Sequence, residues 1–153
     1  MNNSDRISEL IEAEDWAALG RMYRDGKGVE KDAQKAIEYF TRAEDWSTIG
    51  RMYRYGYGVE VDGQKAVEYF TRDRDWYEIA CMYRDGRAVE VDNKKAFEYF
   101  LRAAENLNEQ LDNRFKEIWQ ELYTMYRDGR GVPVDLEEAN KWREKLAQAT
   151  NDL

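Results

Sequence analysis

Apolar and polar positions along the chain fall at helical spacing, and they do so inside a longer fixed rhythm. Trp16, Leu19, Gly20 and Tyr23 stand at i, i+3, i+4 and i+7. That is one face of a 3.6-residue period, and it predicts a short amphipathic helix. Asp15 precedes this helix as an N-cap, and Gly26 follows it as a left-handed stop. A second helix is predicted from Asp32, whose carboxylate can accept from orphan backbone N–H groups, with Ala36, Tyr39, Phe40 and Ala43 on its buried face. In the reversal between the two, Gly28 permits positive φ and Val29 plugs the gap beneath it.

The whole pattern recurs. Trp16, Trp46 and Trp76 are spaced by 30, and the same interval relates Met22-Tyr23, Met52-Tyr53 and Met82-Tyr83, as well as Tyr39-Phe40, Tyr69-Phe70 and Tyr99-Phe100. A fourth copy returns with Trp119, Met125-Tyr126, Gly129, Gly131, Asp135, Ala139 and Trp142, at an offset of 43 from the third. A fixed period of this length marks a unit that buries its apolar face only by stacking on its neighbours. The fold class is therefore all-α, a solenoid of helix-turn-helix units forming one repeat domain over 1–153. It comprises a cap helix at 4–13 and repeats at about 15–44, 45–74, 75–106 and 109–149. Ile7 and Leu10 face inward from the cap helix, while Asn140 and Arg143 replace apolar residues where solvent takes the place of a next repeat. The insertion before Trp119 is expected to extend the first helix of the fourth copy through Leu111, Phe115, Ile118 and Leu122. Gly20, Gly50 and Ala80, with Ala36, Ala66 and Ala96, let neighbouring helices approach closely.

Charge changes this picture more than composition does. At 153 residues and 42% hydrophobic content the chain suits one short array, and its net charge of −8 opposes binding to DNA, RNA or anionic lipid. A protein partner with a basic surface is favoured instead. There is no histidine and a single cysteine, Cys81, so the commonest general base, the commonest metal ligand and any intrachain disulfide are all missing. No enzyme activity, cofactor or metal site is expected. The opening residues carry no signal-peptide core and no stretch approaches a membrane span, which points to a cytoplasmic protein with no membrane contact. Little apolar surface is expected on the edge helices, so a monomer is the default reading.

The residues Leu19-Gly20-Arg21-Met22-Tyr23, Gly26-Lys27-Gly28-Val29, Asp32, Lys35-Ala36 and Tyr39-Phe40, with counterparts in each copy, resemble the Sel-one-like repeat family, relatives of tetratricopeptide repeats. The resemblance spans nearly the whole chain. Departures are Ala88 for the second glycine, Ala80 and Tyr123 for the glycine of the Leu-Gly pair, and a period shorter than the family usually shows. The resemblance implies right-handed stacking of helical hairpins with first helices on the inner face. It also implies a role as adaptor, scaffold, regulator or assembly factor, without catalytic residues. Members include bacterial proteins that neutralise a toxic enzyme by binding it, so a small acidic inhibitor or immunity-type protein is the alternative reading.

Several features invite a chemical reading. Asp25-Gly26-Lys27-Gly28 lacks the Ser or Thr of a phosphate loop and holds cations unsuited to calcium, so it reads as a turn. The in-phase tryptophans read as core. Cys81, where Arg21 and Arg51 stand in earlier copies, reads as a small half-buried filler and not a nucleophile. Arg24, Arg54, Arg84 and Arg127 recur on the polar side of the first helices. They form either a ladder for an acidic segment or a set of pairs with acids such as Asp45, Asp75, Glu38 and Glu68. Because recurring residues maintain a repeat scaffold, departures from the template are the better recognition candidates. Tyr55 and Tyr57 replace Asp25 and Lys27 at turn positions, and Tyr77 replaces Ala17 and Ser47 on the outer side of a first helix, where the alternative is that it packs on an adjacent helix. With Arg51 and Arg54 they are expected to form a mixed aromatic and basic patch.

Overall fold

A computed structural model describes residues 3–107 and 114–151. The described residues form helices and turns, with no strand among them, in two compact units. Unit 1 (Met1–Arg74) holds α1 (Asn3–Glu12), α2 (Trp16–Asp25), α3 (Ala33–Arg42), α4 (Trp46–Tyr55) and α5 (Gly63–Arg72). Unit 2 (Asp75–Leu153) holds α6 (Trp76–Asp85), α7 (Asn93–Glu105), α8 (Phe115–Asp128) and α9 (Leu136–Asn151). Within each unit α2 packs on α3, α4 on α5, α6 on α7 and α8 on α9 as antiparallel hairpins.

The caps form as the sequence predicts. Asp15, Asp45 and Asp75 accept from the backbone N–H groups of Ala18, Thr48 and Glu78. Asp32, Asp62 and Asp92 accept from Lys35, Lys65 and Lys95 at 3.0 Å. Each such cap is worth about 1 kcal/mol. Gly26, Gly56, Gly86 and Gly129 end the first helices in the left-handed region, each backbone N–H returning to a methionine carbonyl one turn earlier.

The tight linkage between repeats is not visible in the sequence. Glu14, Glu44 and Arg74 take φ of 53°, 54° and 56°. At the end of α3 the Asp45 N–H reaches back to the Phe40 carbonyl and the Glu44 N–H to that of Thr41. This paired return closes the helix and places Asp45 at once as the N-cap of α4, which explains the short period. The left-handed cost at a non-glycine residue is accepted so that few residues separate the helices. A similar cost sits at Ala88, with φ of 66°, where other copies carry Gly28, Gly58 and Gly131. Ala88→Gly is therefore expected to stabilise the protein by about 0.5–1 kcal/mol, part of the relief being offset by a freer unfolded chain. A thermal midpoint that stays put or falls would show that this turn carries no such strain.

Core residues lie where the helical stripe places them. Phe40, Leu19, Ile49, Met52 and Phe70 are fully buried in unit 1, as are Ile79, Met82, Phe100 and Leu122 in unit 2. Gly20 and Gly50 are needed by contact: a Cβ there would lie 2.7 Å and 2.9 Å from the rings of Phe40 and Phe70. In the cap helix Ile7 and Leu10 are half-buried, and at the far end Asn140 and Arg143 are exposed or nearly so.

One expectation needs correction. Trp16, Trp46 and Trp76 are half-buried rather than core, each with an arginine of the following helix (Arg42, Arg72, Arg102) over its ring. Of the four in-phase tryptophans only Trp119 is buried, at 4% exposure. In the fourth copy α8 begins at Phe115 and runs to 14 residues, against 10 in the earlier first helices, and α7 before it is lengthened to 13. Leu111 lies outside the described residues.

Candidate functional site

The turns that join first to second helices gather the exposed recognition candidates of unit 1. Tyr55 ends α4 and Tyr57 follows Gly56; their rings stack at 5.4 Å, with 36% and 53% of their surfaces exposed. Behind them the Arg54 guanidinium lies 5.1 Å from the Tyr55 ring centre. Beside this stack opens a cleft of about 770 Å³, walled by Arg24, Asp25, Lys31, Tyr57 and the backbone of Gly56 and Gly58. The cleft exists because each glycine carries the chain through positive φ without a side chain. At Gly58 a Cβ would also meet Ala33 at 2.9 Å.

The electrostatics are local and mostly cationic. Arg24 donates from Nε and Nη2 to the two carboxylate oxygens of Asp25 at 2.7 and 3.2 Å. This fork holds the arginine above its ordinary pKa and the aspartate below its own, so both remain charged across the physiological range. A second cleft, of about 410 Å³ between α1 and α2, presents Arg6, Arg21 and Lys27. Asp25 lines both clefts and pairs with Arg24 and, at 3.9 Å, with Lys27.

The sequence-predicted residues do not all meet here. Arg24 and Tyr57 line the first cleft, Tyr55 stacks on its edge, and Arg51 is exposed on α4. Arg54 is only 5% exposed and acts from within the scaffold, not from the polar side of its helix as the periodicity predicts. Tyr77 is likewise not an outer residue: its ring packs edge-on against Phe100 and its hydroxyl donates to Glu117 at 2.5 Å. Burial and that hydrogen bond raise its pKa well beyond that of a free tyrosine. Arg84 and Arg127 pair with the acids that follow them, Asp85 and Asp128, and Arg84 also reaches Glu121. Arg24, Arg84 and Arg127 thus form their close pairs with acids other than those the sequence suggests, because an arginine near a helix C-terminus can fork onto the next carboxylate without leaving its own helix end.

Sequence reasoning missed Lys31. It stands where Val61, Val91 and Val134 stand in the other copies, a departure from the template as clear as that of Tyr57. Among the described residues no group of His, Cys, Asp and Glu is placed to hold a metal ion, and no helix is long and apolar enough to cross a membrane.

The Sel1 repeat matches residues 17–45, 49–72, 77–106 and 124–151, more than half of the chain and in step with the four hairpins. The chain belongs to the Sel1 repeat family. Two solved structures are similar to this Sel1 repeat chain. One is a protective antigen of uropathogenic Escherichia coli strains with an SLR fold, 26% identical, with a TM-score of 0.67 over 97% of this chain and 33% of that one. The other is a Sel1 repeat protein from Oxalobacter formigenes, 27% identical, with a TM-score of 0.63 over 88% of this chain and 57% of that one. The chain spans a third and somewhat over half of those proteins. No curated protein matches the sequence significantly. Sel1 repeat proteins are generally non-catalytic modules for protein interaction.

Proposed function

We propose that this chain is a binding module, adaptor or scaffold, that takes a protein partner on the turn edge of its first unit. The observation that carries this reading is the exposed, stacked Tyr55–Tyr57 pair beside an open cleft, at positions where the repeat template places charged residues. One face of the Tyr55 ring covers the buried Arg54 guanidinium, while Tyr57 is 53% exposed. Tyrosine supplies large rigid contact area at low entropic cost, which makes such rings common interface anchors. The family's general role in protein interaction supports the same conclusion.

Affinity capture from a cell lysate tests it. Tyr55→Ala with Tyr57→Ala is expected to lower recovery of a stoichiometric partner about tenfold or more, as befits two interface anchors. Full recovery with the double variant would move the interface elsewhere.

A further inference from the structure

The unit 1 cleft differs from its counterpart in the third repeat in a way that specifies a ligand. Arg24 and Arg84 occupy equivalent positions and are held alike. Each forks through Nε and Nη2 onto the following aspartate, and each lies over a buried phenylalanine, Phe40 at 5.9 Å and Phe100 at 5.8 Å. The third arm differs. Arg84 donates from Nη1 to Glu121 at 2.7 Å, a glutamate supplied by the first helix of the next repeat. The corresponding position beside Arg24 is Thr48, and Nη1 of Arg24 has no partner among the described residues.

Two further departures line the same cleft. Lys31 replaces the valine of every other copy; its ammonium lies close enough to Asp25 in the same cleft to help hold that carboxylate below its ordinary pKa, without closing to ion-pair distance. Tyr57 replaces the lysine or arginine of the other copies and presents an open ring face together with its hydroxyl. One cleft therefore holds, around the Asp25 carboxylate, a guanidinium Nη1 that donates to no acceptor among the described residues, an ammonium beyond ion-pair distance and an aromatic face. The protein's own Glu121 shows what completes an arginine so held.

We propose that this cleft docks an extended, carboxylate-bearing segment of a partner protein. One carboxylate sits on Arg24 and Lys31, as Glu121 sits on Arg84, and a neighbouring apolar side chain lies against Tyr57. The inference rests on the binding-module reading and names the partner's chemistry. The fork and the ammonium favour a planar carboxylate, while the net charge of −8 repels long polyanions such as nucleic acid. Local recognition thus runs opposite to the long-range field, so a segment with a few acids interleaved with apolar residues suits it better than a uniformly acidic one.

The test uses the full chain and a fluorescein-labelled peptide in which glutamate alternates with leucine, followed by anisotropy. The same peptide with glutamine for glutamate is expected to bind at least about tenfold more weakly, and raised salt to weaken the glutamate peptide. Lys31→Val installs the residue of the other copies, so the fold is retained, and affinity should fall about tenfold. Thr48→Glu, which installs the residue found at Glu78 and Glu121, should fill Arg24 from within and abolish binding without lowering the thermal midpoint. Lys65→Gln, in the same unit outside the cleft, should change nothing. No binding of the glutamate peptide, equal binding of the glutamine peptide, or undiminished binding by Thr48→Glu overturns the proposal. If lysate capture still depends on Tyr55 and Tyr57 but survives Thr48→Glu, the binding module stands and the carboxylate site falls.

Discussion

Replacing Trp119 with alanine is expected to cost about 3 to 5 kcal/mol of unfolding free energy, whereas the same change at Trp46 is expected to cost about 1 to 2. The two tryptophans hold the same place in the repeat, and only their surroundings differ. Trp119 is buried among Ala80, Phe100, Ile118 and Leu122, with Phe115 edge-on at 5.0 Å. Its removal leaves a cavity that the surrounding helices cannot fully close. Trp46 is half-buried: one side stacks on Tyr69 at 6.3 Å, and the Arg72 guanidinium lies 5.4 Å from the ring centre. Part of its surface is already hydrated, and the long Arg72 side chain can settle into the space. Urea unfolding followed by circular dichroism measures both. Equal losses would mean that the arginine seals its tryptophan as completely as a core does.

Gly131→Ala should be comparably severe, at about 3 kcal/mol or more. A Cβ at this residue would stand 2.0 Å from the Asn93 carbonyl oxygen and 2.4 Å from its carbon, both backbone atoms at the start of α7. No rotamer change can relieve such a clash, so the turn and the helix end must separate. The left-handed φ of 77° adds its own cost for any residue with a side chain. Ala88 occupies the same place in the third copy and shows that the conformation alone is tolerated, which assigns most of the loss at Gly131 to the backbone contact. A loss below about 1 kcal/mol would show that the turn shifts freely.

Features that act through neighbours along the chain are legible in the sequence itself. The period, the aspartate caps, the glycine stops and the fully buried Phe40, Phe70 and Phe100 depend on helix geometry and on contacts a few residues away. A repeating sequence states such features several times, and agreement among the copies removes chance matches. The rule that recognition favours departures from the template also finds Tyr57 and Arg24's neighbourhood. Applied as strictly to Lys31, it finds the third wall of the cleft.

What stays hidden depends on which atoms meet across a hairpin or between neighbouring repeats. Arg54 and Arg24 are equivalent letters, yet Arg54 is buried and Arg24 lines an open cleft, because the side chains around each differ from copy to copy. The sequence leaves Tyr77 between an outer anchor and packing on an adjacent helix, and Phe100 and Glu117, far along the chain, decide it by taking its ring and its hydroxyl. The left-handed turns at Glu14 and Glu44 carry no glycine to announce them, since the Schellman hydrogen bonds and the capping aspartate that follows outweigh the local preference. Repeat, fold class and caps were thus determined by the sequence through local periodicity and stereochemistry. Exposure, and with it the choice between scaffold and recognition surface, was decided by tertiary packing, because a side chain's access to water depends on every element that folds against it.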